Sequence, residues 1–250
     1  MRLRRFLVDD LSPPLVHLTG RESRHAIQVL RLKVGDSVVL FDGRGLEATG
    51  IVREVGRLTM AVEISERRAA PPRTLVSLTL AVATPKGERA DWLVEKCAEL
   101  GVTALWLLET ERSQVRPGEG KLERWRRKAL QAAKQAGHAS IMTVEAHRPL
   151  DEVLTSRDRF RILYGEPRAS VSLLEALHDL SAPETQATAE LLVLIGPEGG
   201  FTDDETTRID TAGGTPFRLS DSILRVETAA VATAAVWAVL LTAGPHQRPM

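Results

Sequence analysis

Short apolar runs separated by turn signals dominate residues 1–70. The runs are rich in β-branched side chains or alternate between apolar and polar positions, which is typical of strands with one buried face. Gly35-Asp36, Asp42-Gly43 and Gly56-Arg57 separate several of them. The pattern predicts a small, mostly β domain with strands at 3–8, 37–41, 46–55 and 58–64 and a helix at 22–31.

The pattern changes after Ala69-Ala70-Pro71-Pro72, a short, stiff connection that divides the chain into predicted domains at 1–70 and 74–250. Beyond it, strands alternate with helices, which favours an α/β domain on a parallel sheet, with ligand loops at the carboxyl ends of the strands. Strands are predicted at 76–83, 102–108, 141–144, 160–163, 191–195 and 215–219. Helices are predicted at 88–100, 121–136 and 226–241, the last closed by Gly244-Pro245.

Two interrupted apolar segments carry the strongest signal for a ligand site. The run 191–195 breaks at Gly196-Pro197-Glu198-Gly199-Gly200, the first loop, and a second break, the second loop, spans residues 219–225. Glycines after a strand let a ligand lie against bare backbone. The spacing is not that of a dinucleotide site, and no Lys-Ser or Lys-Thr follows to make a P-loop. An ordinary strand-to-helix turn is the alternative.

A helix is predicted to begin directly after the first loop. Thr202 and Glu205 have the Thr-x-x-Glu spacing of a capping box, in which each side chain binds the other residue's amide. Gly213-Gly214 can end this helix in the left-handed conformation.

Composition and charge set looser bounds on the function. With 43% apolar residues among 250, the chain can bury a sizeable core. Neither a membrane helix nor a secretory leader is visible, and the single cysteine, Cys97, excludes an internal disulfide and a thiolate metal cluster. We therefore expect a cytoplasmic globular protein without membrane contact.

The charge is unevenly distributed, although the formal net charge is zero. Residues 112–134 contain eight Lys or Arg against two Asp or Glu, whereas residues 195–250 contain four against seven. Basic charge concentrated on one helix can neutralise RNA phosphates. A solvated helix face is the alternative.

At the two loops the sequence resembles the bacterial 16S ribosomal RNA uracil-N3 methyltransferases, which belong to the knotted SPOUT class of S-adenosylmethionine enzymes. The resemblance implies a PUA-like β-barrel for RNA binding, then a parallel-sheet SPOUT domain with a C-terminal trefoil knot, and a homodimer. The chain departs from the family pattern at Ser220-Asp221, His138 and Met142. The resemblance rests on residues 194–201 and 223–229 and extends in order through 25–31, Gly35-Asp36, Lys86-Gly87, 95–102 and Arg112-Ser113.

The resemblance also implies roles for single residues, with no metal. Arg225 would stabilise negative charge on the target ring, and Glu198 would accept a proton or orient the cofactor. The alternative for Arg225 is a salt bridge with Glu227 or Glu198. S-adenosylmethionine would be held largely by backbone groups of Ile195, Gly196, Gly200, Leu219, Ser220 and Leu224, with Tyr164 and Gly165 completing the pocket.

Four basic residues are candidates for RNA contact: His25, Arg31, Lys86 and Arg112. The alternative for His25 is a structural role. The alternative for Lys86, and for the nearby Arg89, is a place in a solvated turn without contact to a ligand. Trp92, Cys97 and Trp125 are predicted to belong to the core.

Two other functions stay open beside methylation of a uridine at N3. The first is methylation of ribose 2′-hydroxyls of RNA, as in related knotted enzymes. The second is a ribosomal RNA-binding module without catalysis, in which the glycine loops would have only a structural role. Binding of S-adenosylmethionine separates the module from the enzymes, and the methylated nucleoside separates the two enzymes.

Overall fold

The computed structural model describes residues 3–70, 76–178 and 190–241. They form two compact units. The first holds the described residues up to 70 together with Ala133–Ile141, and the second holds the others. The Pro71-Pro72 connection and the Gly244-Pro245 helix end lie outside the described residues.

The first unit is a five-stranded sheet in the order β1-β3-β4-β5-β2, in which only β1 and β3 pair in parallel. The strands predicted at 37–41 and 46–55 are confirmed. The strand at 15–18 was not predicted, and the strand predicted at 58–64 lies at 60–69. The helix predicted at 22–31 is an α-helical turn followed by a π-helical turn. The elements are β1 (Arg4–Leu7), β2 (Leu15–Leu18), α1 (Gly20–Arg24), the π turn (His25–Val29), β3 (Ser37–Phe41), β4 (Leu46–Val55) and β5 (Met60–Ala69).

A glycine lets the two longest strands of this sheet approach closely. The register of β4 against β5 shifts next to Gly50. A Cβ at Gly50 would lie 2.6 Å from Val62 Cγ1 and 2.7 Å from the Glu63 carbonyl oxygen, so no side chain fits there. The bend helps the sheet to curl around buried Phe6, Leu40 and other apolar side chains.

The second unit is built on a six-stranded, all-parallel sheet in the order β11-β9-β10-β6-β7-β8. The α/β prediction is confirmed. The strands are β6 (Ser77–Ala83), β7 (Ala104–Glu109), β8 (Thr143–Pro149), β9 (Phe160–Gly165), β10 (Glu190–Ile195) and β11 (Thr215–Phe217). The helices are α2 (Arg89–Leu100), α3 (Glu119–Ala136), α4 (Leu150–Leu154), followed by a 3-10 turn (Thr155–Asp158), α5 (Leu173–His178), α6 (Asp203–Thr211) and α7 (Val226–Leu240).

Both faces of this sheet are covered, which explains why its central strands are apolar throughout. Leu191 and Val193 of β10 pack into a core that includes residues of α2, α3 and α7. Leu192 and Leu194 pack into a second core that includes residues of α4 and α6. Alternate residues of one strand thus enter opposite cores.

Buried side chains of the second unit include two of the three predicted core residues. Trp125 is buried and donates from Nε1 to Asp91, and burial raises the pKa of the Cys97 thiol to about 12. The prediction for Trp92 was wrong, because its side chain is 44% exposed. His138, in the first unit, and Met142, two departures from the family pattern, are both buried. Across the described segments, no helix is long and apolar enough to cross a membrane.

Candidate functional site

The carboxyl ends of parallel strands bring the two loops to one edge of the sheet. The first loop follows β10, the second loop follows β11, and β9 lies between these two strands. Gly165 ends β9, and a Cβ there would lie 3.3 Å from Ile195 Cδ1. The Glu166 amide donates to the Phe217 carbonyl at 2.9 Å. The two loops therefore lie at the same edge, with Gly165 at the end of the strand between them.

Glycines hold the first loop in a compact turn. The Gly200 amide donates to the Pro197 carbonyl at 2.8 Å. Gly200 has a φ of 70°, a backbone conformation that residues other than glycine rarely adopt. A Cβ at Gly196 would lie 3.1 Å from the Phe201 ring. The loop thus depends on glycine for its turn and for the close approach of an aromatic ring.

Arg112 holds the same loop from outside. Its Nη1 donates to the Gly199 carbonyl at 2.6 Å and to the Phe201 carbonyl at 3.4 Å. Hydrogen bonds from a charged donor are stronger than neutral ones. Arg112 therefore orders the first loop, and RNA contact by its exposed side chain stays a prediction.

The capping box predicted after the first loop is confirmed. Thr202 Oγ1 accepts from the Glu205 amide at 3.2 Å, and Glu205 Oε2 accepts from the Thr202 amide at 2.9 Å. The other oxygen of this buried carboxylate accepts from the Glu111 amide at 2.8 Å. Glu205 thus ties the start of α6 to the segment after β7.

The second loop is held by short-range contacts. Ser220 Oγ accepts from the Ser222 amide at 2.9 Å, and Arg218 Nη1 lies 2.8 Å from Asp221 Oδ1. The added charge of Asp221 is therefore paired by a neighbour. Ile223 is 88% exposed, so the tip of the loop has little packing of its own.

Backbone groups at the start of the first loop and in the second loop are available to a ligand. Over the described segments, the main-chain groups of Gly196, Leu219 and Leu224 form no hydrogen bond. Leu219 and Leu224 are half-buried, so a ligand in contact with them would meet both an apolar surface and free donors and acceptors. This is the chemistry that a nucleoside requires.

Arg225 is exposed at the start of α7. Among the described residues it forms no ion pair, so the alternative of a salt bridge to Glu198 or Glu227 was wrong. Arg89 contacts these carboxylates instead: its Nη1 lies 3.2 Å from Glu198 Oε1 and 3.9 Å from Glu227 Oε1. The Arg225 guanidinium is therefore free to meet a substrate.

A cavity with about 440 Å³ of empty space, open to solvent, lies where the strand order of the sheet reverses, beside β6 and β10. Ligands of open α/β sheets bind at such switch points. The cavity joins the first loop to the start of α7, and Lys86, predicted to contact RNA, is exposed at its wall. Its polar lining includes Thr84, Lys86, Arg112, Glu198 and Glu227.

Tyr164 lies within β9 rather than after it. Its ring is buried, and its hydroxyl donates to Asp210 Oδ1 at 2.9 Å. Burial, reinforced by this carboxylate, raises the pKa of the phenol. The side chain thus serves packing, and the cofactor contact predicted for Tyr164 rests on its backbone.

His25 and Arg31 lie in the first unit, and both side chains are exposed. His25 opens the π turn. Arg31 has a φ of 53° and is the one residue other than glycine with a positive φ in the described segments. Such strain often marks a functional position, which suits the RNA contact predicted for Arg31.

Several basic residues of 112–134 are paired with carboxylates of the protein itself, which the sequence could not show. The hydrogen-bonded pairs are Arg124 with Asp91, Lys128 with Glu95 and Lys134 with Glu22. The basic residues on α3 therefore support RNA binding less strongly than their number indicates.

Sequence reasoning considered Glu227 only as a partner for Arg225. The structure places its buried carboxylate at the wall of the cavity. The available signal was an acidic residue in the first turn of a helix made otherwise of alanine, valine and similar residues.

Comparison with known proteins agrees with this geometry. Residues 72–238 match the family described as RNA methyltransferase domain, and residues 18–65 match the RNA methyltransferase PUA domain. Ribosomal RNA small subunit methyltransferase E of Synechocystis sp. is 32% identical over 90% of this chain and 73% of the relative. That of Mycobacterium bovis is 30% identical over 90% and 87%.

A solved structure extends the likeness to three dimensions. The crystal structure of ribosomal RNA small subunit methyltransferase E from Neisseria gonorrhoeae, bound to S-adenosyl methionine, matches with a TM-score of 0.83. The match covers 96% of this chain and 98% of that one at 27% identity. The chain therefore belongs to the RNA methyltransferase family that includes these relatives, with a PUA domain before its methyltransferase domain.

Proposed function

We propose that this chain transfers the methyl group of S-adenosylmethionine to N3 of a uridine in 16S ribosomal RNA. The relatives are named as methyltransferases of the small-subunit RNA, and one of them was crystallised with S-adenosyl methionine. The observation that carries the proposal is the placement of the first and second loops at one sheet edge, on either side of the strand that ends at Gly165.

The chemistry of this edge fits S-adenosylmethionine. Over the described segments, the backbone groups of Gly196, Leu219 and Leu224 are free to match the hydrogen-bonding edges of a nucleoside. Gly165 ends its strand without a side chain, at a position where a Cβ would lie 3.3 Å from Ile195 Cδ1. The proposed contacts are those predicted from the sequence: Tyr164, Gly165, Ile195, Gly196, Gly200, Leu219, Ser220 and Leu224.

Arg225 is proposed as the residue that promotes the reaction at the base. S-adenosylmethionine supplies an electrophilic methyl group, and the protein must hold a nucleophile in line with it. Uracil N3 is a weak nucleophile until its proton leaves, and negative charge then spreads over the ring. The exposed guanidinium of Arg225, which forms no ion pair with the described residues, is suited to stabilise that charge.

The ion pair with Arg89 favours one of the two roles left open for Glu198. A carboxylate bound to a guanidinium at 3.2 Å is held in place. We therefore assign Glu198 to orienting the site. Lys86 and Arg112 border the same cavity and are proposed, with His25 and Arg31, to contact the RNA.

A homodimer, a trefoil knot and a cytoplasmic location complete the proposal. Exposed apolar side chains on α2 and α7, which pack together, support a subunit contact there: Trp92 is 44% exposed and Val239 is 77% exposed. Sedimentation at micromolar concentration tests the dimer, and Val239→Glu should shift it towards monomer.

The experiment that tests the function is incubation with S-adenosylmethionine and unmodified small-subunit RNA, followed by mass analysis of the nucleosides. We expect a uridine methylated on the base at N3. A methyl group on ribose would assign the 2′-hydroxyl reaction instead. If S-adenosylmethionine released no heat in calorimetry and the RNA stayed unmodified, the protein would be an RNA-binding module without catalysis.

A further inference from the structure

Glu227 is a buried acidic residue with an unused oxygen at the cavity wall. Its side chain is 8% exposed, and its Oε2 is buried and has no hydrogen-bond partner among the residues that the structure describes. Buried carboxylate oxygens are costly to leave without a donor. A donor brought by a ligand would satisfy this oxygen.

Positively charged groups lie close to the Glu227 carboxylate. It lies in the first turn of α7, where the positive end of the helix dipole stabilises anions, and Arg89 Nη1 is 3.9 Å from its Oε1. The other charged groups that border the cavity are Lys86, Arg112 and Glu198. Glu227 follows Arg225 by two residues at the start of α7, with the Arg225 side chain exposed and that of Glu227 buried.

The two carboxylates at this cavity differ in what they can accept. The Glu198 side chain is 67% exposed and its Oε1 binds Arg89. Glu227 keeps one oxygen without a partner in a place that water reaches poorly. Water can satisfy the exposed Glu198 carboxylate, whereas the buried Glu227 oxygen needs a donor from a group that enters the cavity.

We propose that Glu227 accepts the N3 proton of the target uracil, while Glu198 holds Arg89 in position. This inference rests on the proposed function. The N3 proton moves to the Glu227 carboxylate, and the electron pair of N3 forms the new bond to the methyl carbon. The sulfur–carbon bond breaks with its electrons returning to sulfur, which leaves a neutral thioether, and Glu227 then releases its proton to water.

Glu227→Gln tests the proposal, and Glu198→Gln is a second variant that removes the other carboxylate of the cavity. A positioned general base contributes roughly 10²–10⁴-fold to the rate. Single-turnover methylation at neutral pH should therefore fall at least about 10²-fold in Glu227→Gln and less than about tenfold in Glu198→Gln, since the amide can still bind Arg89. Calorimetry should show an S-adenosylmethionine affinity within a few-fold of wild type for both.

The pH profile separates a proton acceptor from a structural residue. Without Glu227 the N3 proton must leave to hydroxide, so the rate of Glu227→Gln should rise about tenfold per pH unit and approach the wild-type rate in alkali. A deficit that stays constant with pH would overturn the proposal. The proposal would also be overturned if Glu227→Gln reacted at the wild-type rate. The same holds if this variant lost cooperative thermal unfolding or no longer bound S-adenosylmethionine, since its defect would then be structural.

The two proposals fail in different ways. A wild-type protein that yields no N3-methyluridine removes the proposed function. A wild-type protein that yields it, beside an equally fast Glu227→Gln, removes only the role of Glu227.

Discussion

The first and second loops lie at the same edge of the sheet but are held in different ways. The first loop is fixed from outside: Arg112 binds the Gly199 carbonyl, and the Phe201 ring packs against Gly196. The second loop has local bonds between Ser220 and Ser222 and exposes its tip. One wall of the proposed cofactor site is thus preorganised, and the other is expected to be ordered by the ligand.

This difference predicts separate effects on binding, stability and chemistry. Changes in the first loop and its supports should alter the affinity for S-adenosylmethionine or the stability of the fold. Changes at the end of the second loop should alter the chemical step.

Arg225→Ala should give the largest effect. It removes the guanidinium proposed to stabilise charge on the ring, so the rate of methylation should fall about 10²–10³-fold. The affinity for S-adenosylmethionine, measured by calorimetry, should stay within a few-fold because Arg225 is not among the proposed cofactor contacts. Turnover at the wild-type rate would remove Arg225 from the mechanism.

Glu205→Ala should destabilise the second unit. It leaves the amides of Thr202 and Glu111 without their acceptor, which costs about 1–3 kcal/mol of unfolding free energy. Urea unfolding measures the loss. Asp204→Ala, one residue earlier and exposed, is the control and should change stability by less than about 0.5 kcal/mol. Equal losses would show that the capping box contributes little.

Arg112→Ala should weaken S-adenosylmethionine binding by roughly tenfold, or about 1.4 kcal/mol, because the Gly199 carbonyl loses its donor and the first loop becomes mobile. Calorimetry measures the dissociation constant. Arg116→Ala is the control, since Arg116 is 77% exposed and lies 3.4 Å from Glu109. If Arg112→Ala lost RNA binding but kept its cofactor affinity, Arg112 would instead be assigned to RNA contact.

Asp221→Asn should have the smallest effect. Its pair with Arg218 is solvent-exposed, and such pairs contribute about 0–1 kcal/mol. Cofactor affinity should change by less than about threefold, or about 0.7 kcal/mol. A larger gain in affinity would mean that the Asp221 charge does oppose the ligand.

Local patterns predicted the elements that local physics determines. The capping box at Thr202 and Glu205 and the apolar strand of β10 were read from adjacent residues, and both are confirmed. β2 was missed because it has only four residues and Pro13-Pro14 precede it. Trp92 was misplaced because composition does not show which face of α2 meets the sheet.

Pairing over long sequence distances could not be predicted. Arg89 and Glu198 are 109 residues apart, and nothing near either residue indicates the other. The same holds for Arg124 and Asp91, whose pairing lowers the charge available to RNA. The buried oxygen of Glu227 depends on tertiary packing, so only coordinates reveal it.

The chain contains one cysteine, and its thiol is enclosed in the core with a raised pKa. Thiol-directed dyes should therefore leave the folded protein unlabelled. Ile223→Cys would then carry a single fluorophore at the tip of the second loop, and its signal would report directly whether that loop orders when S-adenosylmethionine is added.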